Sequence, residues 1–166
     1  MRLIHGVTVL GRPLDQLLGA ALTGLPQRDR GLAHAIALAA LRRLTAIDAA
    51  IDGATARPLA PDARARGALR VALAQAWALG TPHHAVVSTA LPLVEGGPRR
   101  LVHGVLGRLL REAAAPPPPR LPGPWQERWG DTYGAERAAA IAAVLETEPP
   151  LDLMLRDPAA TDEWAE

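Results

Sequence analysis

The chain has 166 residues, 49% of them apolar, which is enough for one domain with a sizeable core and the start of a second. It contains no cysteine, which excludes disulfides, thiolate metal sites and a cysteine nucleophile in this chain. No apolar run is long enough to cross a membrane, and charged residues interrupt the N-terminal stretch where a signal peptide would lie. We therefore expect a cytoplasmic protein without membrane contact.

The charge is segregated along the chain, although the net charge is only +1. Residues 1–113 hold 14 Arg and 7 acidic residues, a net charge of +7. Residues 114–166 hold 4 Arg and 10 acidic residues, a net charge of −6. A basic first part predicts a polyanionic partner, and a solvated basic face is the alternative.

The spacing of apolar residues predicts an all-helical fold. Two short helices are expected at 2–10 and 13–22, followed by a long helix from about Gln27 to Asp52. The main apolar stripe of this long helix consists of Leu32, Ile36, Ala40, Leu44, Ile47 and Ile51. Because a second face is also apolar, we expect the long helix at the centre of a bundle. Helices at 62–80, 83–95 and 99–112 follow, the second shortened or kinked by Pro92.

The chain changes character after the bundle, which we assign to residues 1–113. The proline-rich stretch at 114–124 predicts an extended linker. Residues 125–166 predict a pair of connecting helices, a short strand at 151–156 and the truncated start of a next domain. We expect Trp125 and Trp129, one helical turn apart, to dock this second part onto the bundle.

The helix RRLVHGVLGRLLRE (99–112) contains two internal glycines, each of which costs about 1 kcal/mol relative to alanine. Its apolar residues occupy half of the circumference, and most of the other half consists of Arg100, Gly104, Gly107, Arg108 and Arg111. Arginines beside bare backbone would allow a phosphate chain to lie close to the helix. The alternative is that another helix packs on the glycines and the arginines are merely solvated.

A second candidate anion site lies at the start of the long helix. Arg28 and Arg30 stand beside a helix N-terminus, although Asp29 could pair with Arg30 instead. Arg42 and Arg43 lie further along, and for Arg43 a buried ion pair with Asp48 or Asp15 competes with any phosphate contact. The histidines show no metal-binding spacing, and no nucleophile motif occurs, so we predict neither a metal site nor a catalytic site in this chain.

Several stretches, taken in order, resemble a known family. RDRGLAHAIALAALRRLTAID, RVALAQAWALGTPHHAVVSTALPLV and RRLVHGVLGRLLRE resemble the NusB-like helical domain, as it occurs at the N-terminus of the Sun/Fmu (RsmB) family of 16S ribosomal RNA cytosine-5 methyltransferases. PWQERWGDTYGAERAAAIAAVLETEPPLDLMLR resembles the connecting helices of that family. His103 stands where the family usually has Asn, and Thr89 where it often has Glu.

The resemblance implies a NusB-like helical bundle that binds 16S ribosomal RNA and helps to present the target to a catalytic domain elsewhere in the parent protein. That domain would bind S-adenosylmethionine and carry two catalytic cysteines, which this chain lacks, so we expect no catalysis and no cofactor here. A NusB-type transcription antitermination factor is one alternative, against which the tail after the prolines counts. A protein-docking module without RNA contact is another. The candidate RNA-binding residues are Arg28, Arg30, Arg42, Arg99, Arg100, Gly104, Gly107, Arg108 and Arg111.

Overall fold

The structure, a computed structural model, describes residues 1–112 and 116–150 and the single positions 152, 154 and 156. Within these residues every regular element is helical, as the sequence predicts. The α-helices are α1 (Arg2–Thr8), α2 (Leu14–Leu22), α3 (Gln27–Arg42), α4 (Leu44–Gly53), α5 (Arg64–Ala78), α6 (His83–Ala90), α7 (Gly96–Glu112), α8 (Gly123–Tyr133) and α9 (Ala135–Glu146). The predicted strand and the helix start beyond it lie outside the described residues, apart from the three single positions.

Helix α5 is the most deeply buried element of the bundle. It packs against α3, α4, α6 and α7, and four consecutive core positions on it, Ala68, Leu69, Ala72 and Leu73, are fully buried. Alanines at alternate core positions allow neighbouring helices to approach closely, while each buried leucine contributes about 1.5–3 kcal/mol. The sequence predicts the 27–52 helix at the centre instead, but that segment buries fewer residues than α5 does.

The predicted long helix is in fact two helices. Arg43 has φ −100° and ψ 14°, which ends α3 and starts α4 at Leu44. Ala40, Ile47 and Ile51 are buried as predicted, whereas Leu32, near the N-terminal end of α3, is 56% exposed. A continuous periodicity extrapolated from the buried positions therefore fails at the N-terminal end of α3.

Proline shortens the following segment as predicted. Helix α6 ends at Ala90, and Leu91–Leu93 form a single turn of 3-10 helix around Pro92. This turn packs against α5, α6 and α7, so the chain enters α7 from a fixed position on the core.

Helices α8 and α9 form a hairpin that meets the bundle through α9 and α3. Leu121, Ala138 and Ala142 are buried, but Trp125 is 48% exposed. Trp125 and Trp129 pack edge to face on each other, with ring centroids 5.6 Å apart. The expectation that this pair docks the hairpin onto the bundle is therefore wrong for Trp125, because the hairpin meets α3 through α9.

Candidate nucleic-acid interface

One side of α7 is anchored in the core. Val102, Val105, Leu106 and Leu110 are buried, and the helix packs against α5, α6 and the 3-10 turn. The first helical turn contains Pro98, whose missing N–H costs nothing at a helix start. This anchoring fixes which side of α7 faces solvent.

The opposite side of α7 presents arginine and glycine in a single line. Arg100, Gly104, Gly107 and Arg111 follow one another at intervals of four, three and four residues, so they share one stripe about 16 Å long. The flanking side chains of Arg99, His103 and Arg108 are exposed. We call these seven residues the arginine–glycine face.

No neighbouring helix covers the two glycines. A Cβ atom added at Gly104 would meet no atom within 4 Å, and one added at Gly107 would meet only the Arg111 guanidinium, its Nη2 at 3.1 Å. Helix packing is the usual structural reason for tolerating mid-helix glycine, and it does not apply here. The backbone is open at Gly104, whereas the Arg111 side chain lies over Gly107.

The charge on this face is largely uncompensated. Among the residues that the structure describes, no carboxylate forms an ion pair with Arg99, Arg100 or Arg111. Exposed guanidinium groups offer planar forks of donors that match phosphate oxygens. The face can therefore hold a polyanion close to the helix backbone.

The arginines at the start of α3 have local partners. Arg28 pairs with Asp29 at 3.5 Å while remaining 88% exposed, and the Arg30 Nε donates to the Leu25 carbonyl at 2.8 Å. Helices α3 and α7 both pack on α5 without substantial contact with each other. The structure thus brings the α7 candidates together and leaves Arg28 and Arg30 as a separate group.

Arg42 and Arg43 face the hairpin. Arg42 lines two hollows beside Glu146, and the Arg43 Nε lies 3.2 Å from Glu146 Oε2. The sequence analysis named Asp48 and Asp15 as possible partners of Arg43, and both are wrong. The helix is interrupted at residue 43, and this side chain faces α9 instead. The Glu146 side chain is only 4% exposed, and burial raises the pKa of its carboxyl against the opposing effect of Arg43.

Two buried arginines on α5, which pair with aspartates of α4, were not predicted from the sequence. Arg70 donates from Nε and Nη2 to the two carboxylate oxygens of Asp48, at 2.8 and 2.7 Å. Arg66 contacts Asp48 and Asp52 and also donates to the Leu59 carbonyl. A signal was present, because Asp48 and Asp52 and likewise Arg66 and Arg70 are four residues apart, which places each pair on one helix face.

Other kinds of site find little support in the described part of the chain. Among those residues no group of three histidine, aspartate or glutamate side chains is arranged to hold a metal ion. None of the helices there combines the length and hydropathy needed to cross a membrane.

The family model described as "NusB family" matches residues 1–111, which are two thirds of the chain and include the bundle up to the last turn of α7. The chain belongs to the NusB family. Its helical bundle is accordingly a NusB fold, as the resemblance implies. No solved structure gives a significant match to the chain.

The NusB domain is similar to the corresponding part of larger bacterial proteins. "Ribosomal RNA small subunit methyltransferase B" of Xanthomonas campestris is 39% identical over 117 residues, which cover 67% of this chain and 27% of that protein. The protein of the same name from Xylella fastidiosa strain Temecula1 is 41% identical over 117 residues, with the same coverage. The chain thus matches about a quarter of the length of these relatives.

Proposed function

We propose that this NusB chain is the non-catalytic, RNA-binding part of a 16S ribosomal RNA cytosine-C5 methyltransferase. The arginine–glycine face of α7 binds the ribosomal RNA backbone and helps to present the target cytosine to a catalytic domain outside this chain. The relatives named ribosomal RNA methyltransferase B support the substrate class. The observation that carries the site is the uncovered backbone of Gly104 on a stripe whose two ends are the exposed Arg100 and Arg111.

The binding mode follows from the residues on the face. Arg100 and Arg111 supply charge at the two ends, and Gly104 and Gly107 remove the side chains that would hold a phosphate chain away. Such contacts give affinity with little sequence information, because phosphates are the same at every nucleotide. Arg28, Arg30 and Arg42 stay in the proposal as secondary contacts, with a smaller expected effect because each lies beside a protein partner or the hairpin.

Methyl transfer would take place in a domain outside this chain. Attack on a cytosine ring needs a nucleophile such as a cysteine thiolate and an extruded base, and this chain has no cysteine. The cofactor and the catalytic cysteines are therefore assigned to a further domain, and the whole protein would act on ribosomal RNA in the cytoplasm.

The test is RNA binding as a function of salt concentration. The triple variant Arg100→Ala, Arg108→Ala and Arg111→Ala should lower affinity for 16S ribosomal RNA fragments by about tenfold or more at low salt, and should reduce the slope of log K against log salt by roughly 2–3. The matched control removes Arg12, Arg57 and Arg137, which are exposed but lie off the face.

The outcomes separate the proposal from its rival. Loss confined to the α7 variant supports RNA binding by this face. Equal losses in both variants would mean a diffuse charge effect, and absence of binding even at low salt would favour a module that docks protein domains.

A further inference from the structure

A cavity of about 660 Å³ lies at the other end of the bundle from the hairpin, between α1, the start of α2 and the start of α5. Its walls are mainly apolar, formed by Met1, Ile4, Leu10, Leu17, Pro61 and Leu93. This volume falls within the range of about 300–1,000 Å³ that is typical of small-molecule sites. The cavity is open to solvent and could admit a flat, partly apolar group.

The rim of the cavity is basic. Arg2, His5 and Arg64 line it and are exposed, whereas Asp62 is the carboxylate on the lining. The Arg64 Nε donates to the Leu93 carbonyl at 2.8 Å, which holds this arginine at the edge. The guanidinium of Arg70 reaches one wall but is occupied by Asp48. An apolar hollow with a cationic rim suits a ligand that combines a flat ring with an anionic group.

Arg64 connects this cavity to the start of α7. The same side chain lines a second hollow together with Val94, Glu95 and Pro98, and Pro98 directly precedes Arg99 and Arg100. Arg64 therefore stands both at the rim of the cavity and beside the first turn of α7, where the Glu95 carboxylate lines the same hollow. A phosphate chain that follows α7 towards its N-terminus would reach the mouth of the cavity.

We propose that the cavity receives one unpaired nucleotide of the RNA whose backbone lies along α7, an inference that rests on the proposed function. The base lies against Ile4, Leu10 and Leu17, and its phosphate lies at Arg64 and Arg2. Unpaired nucleotides are the elements of RNA that proteins read by contact with the base, since a paired helix hides its base edges in a deep groove. The contacts of α7 with the RNA backbone would supply affinity, and the contact of the cavity with the base would supply selectivity for an unpaired nucleotide.

The experiment compares two RNA hairpins of equal length, one fully paired and one with a single unpaired 2-aminopurine nucleotide. The chain should bind the second hairpin about tenfold more tightly, and the fluorescence of 2-aminopurine should change on binding. Leu10→Glu, at a 60% exposed position on the cavity wall, should abolish the preference. Val9→Glu adds the same charge one residue away, off the lining, and should retain the preference.

Three results would overturn the inference: equal affinity for the two hairpins, no fluorescence change, or equal loss in Leu10→Glu and Val9→Glu. Each leaves the proposed function standing if the paired hairpin still loses affinity in the α7 triple variant. Absence of binding to either hairpin at low salt would instead overturn both proposals. A thermal melt of each variant verifies that the fold is retained.

Discussion

Helices α5 and α7 pack on each other, but Arg66 and Arg70 of α5 and the arginines of α7 lie in opposite surroundings. Arg66 and Arg70 on α5 are 4% and 5% exposed and are held by Asp48 and Asp52 of α4. Arg100 and Arg111 on α7 are exposed, with no carboxylate partner in the described part of the chain. Arginine therefore forms buried ion pairs on α5, whereas on α7 it is exposed and available to a ligand.

The difference shows how the net charge of the bundle should be understood. The two buried arginines and their two aspartates cancel, so the +7 of residues 1–113 resides outside this cluster. Buried guanidinium groups need complete partners because removal from water is costly, and Arg70 has them in Asp48, Thr8 and the Pro61 carbonyl. Exposed guanidinium groups keep their hydration until an anion replaces it. Only the exposed arginines can therefore bind a polyanionic partner.

The largest expected effect comes from breaking the buried cluster. Asp48→Ala leaves the Arg70 guanidinium and part of Arg66 buried without their shared carboxylate, and should lower the free energy of unfolding by about 3–5 kcal/mol. Urea denaturation followed by circular dichroism measures this. Asp131→Ala removes an exposed carboxylate from α8 and should change the free energy of unfolding by less than about 0.5 kcal/mol. Similar values for the two variants would mean that the cluster contributes no specific stability.

The variant Gly104→Ala tests the exposed arginine–glycine face of α7. The added Cβ meets nothing in the protein, so it should raise the free energy of unfolding by about 1 kcal/mol through helix propensity. If RNA backbone approaches Gly104, the same methyl group should lower RNA affinity by roughly tenfold, or about 1.4 kcal/mol. Denaturation and RNA titration of one variant would therefore move in opposite directions.

Gly19→Ala provides the matched control for that experiment. Gly19 is exposed in the interior of α2, and its added Cβ also meets nothing. It should stabilise the fold by a similar amount without changing RNA affinity. A Gly104→Ala variant that gains stability and binds RNA normally would remove the glycine from the proposed interface.

Sequence patterns were sufficient to locate the helical segments, but not to find the break between α3 and α4 or the partners of the ion pairs. Apolar spacing located the helices of the bundle, because burying one face of each helix requires that spacing wherever the helix lies. The partners of Arg43, Arg66 and Arg70 depend on how helices pack, and the break at residue 43 decides one of them. The arginine–glycine face could be predicted since it lies within one helix, whereas its openness depends on the absence of a neighbour, which only the tertiary structure gives.

The ion pair of Arg43 with Glu146 is intermediate in burial between the arginines of α5 and those of α7. Changing it should have the smallest effect on the free energy of unfolding. The Arg43 side chain is 21% exposed, and both Glu146 carboxylate oxygens lack a hydrogen bond of normal geometry in the described residues. Burial raises the pKa of Glu146, and the opposing effects of Arg43 and the Arg120 backbone are weaker. A folded-state pKa above the unfolded one means that the folded protein holds this proton more tightly. The contribution of Glu146 to stability is thus fully present below the ordinary carboxyl pKa and is lost as the pH rises through the raised value.

Glu146→Gln tests that sign. Glutamine resembles the protonated acid, so the variant should lack this loss and should be at least as stable as the natural chain at neutral pH. Urea midpoints measured across the acidic to neutral range would follow the effect, with Glu148→Gln, at an exposed position nearby, as the control that leaves the pH dependence intact. If Glu146→Gln is the less stable protein at neutral pH, attraction to Arg43 outweighs burial of the carboxylate. This contact would then resemble the α5 cluster, in which charge stabilises the packing of helices.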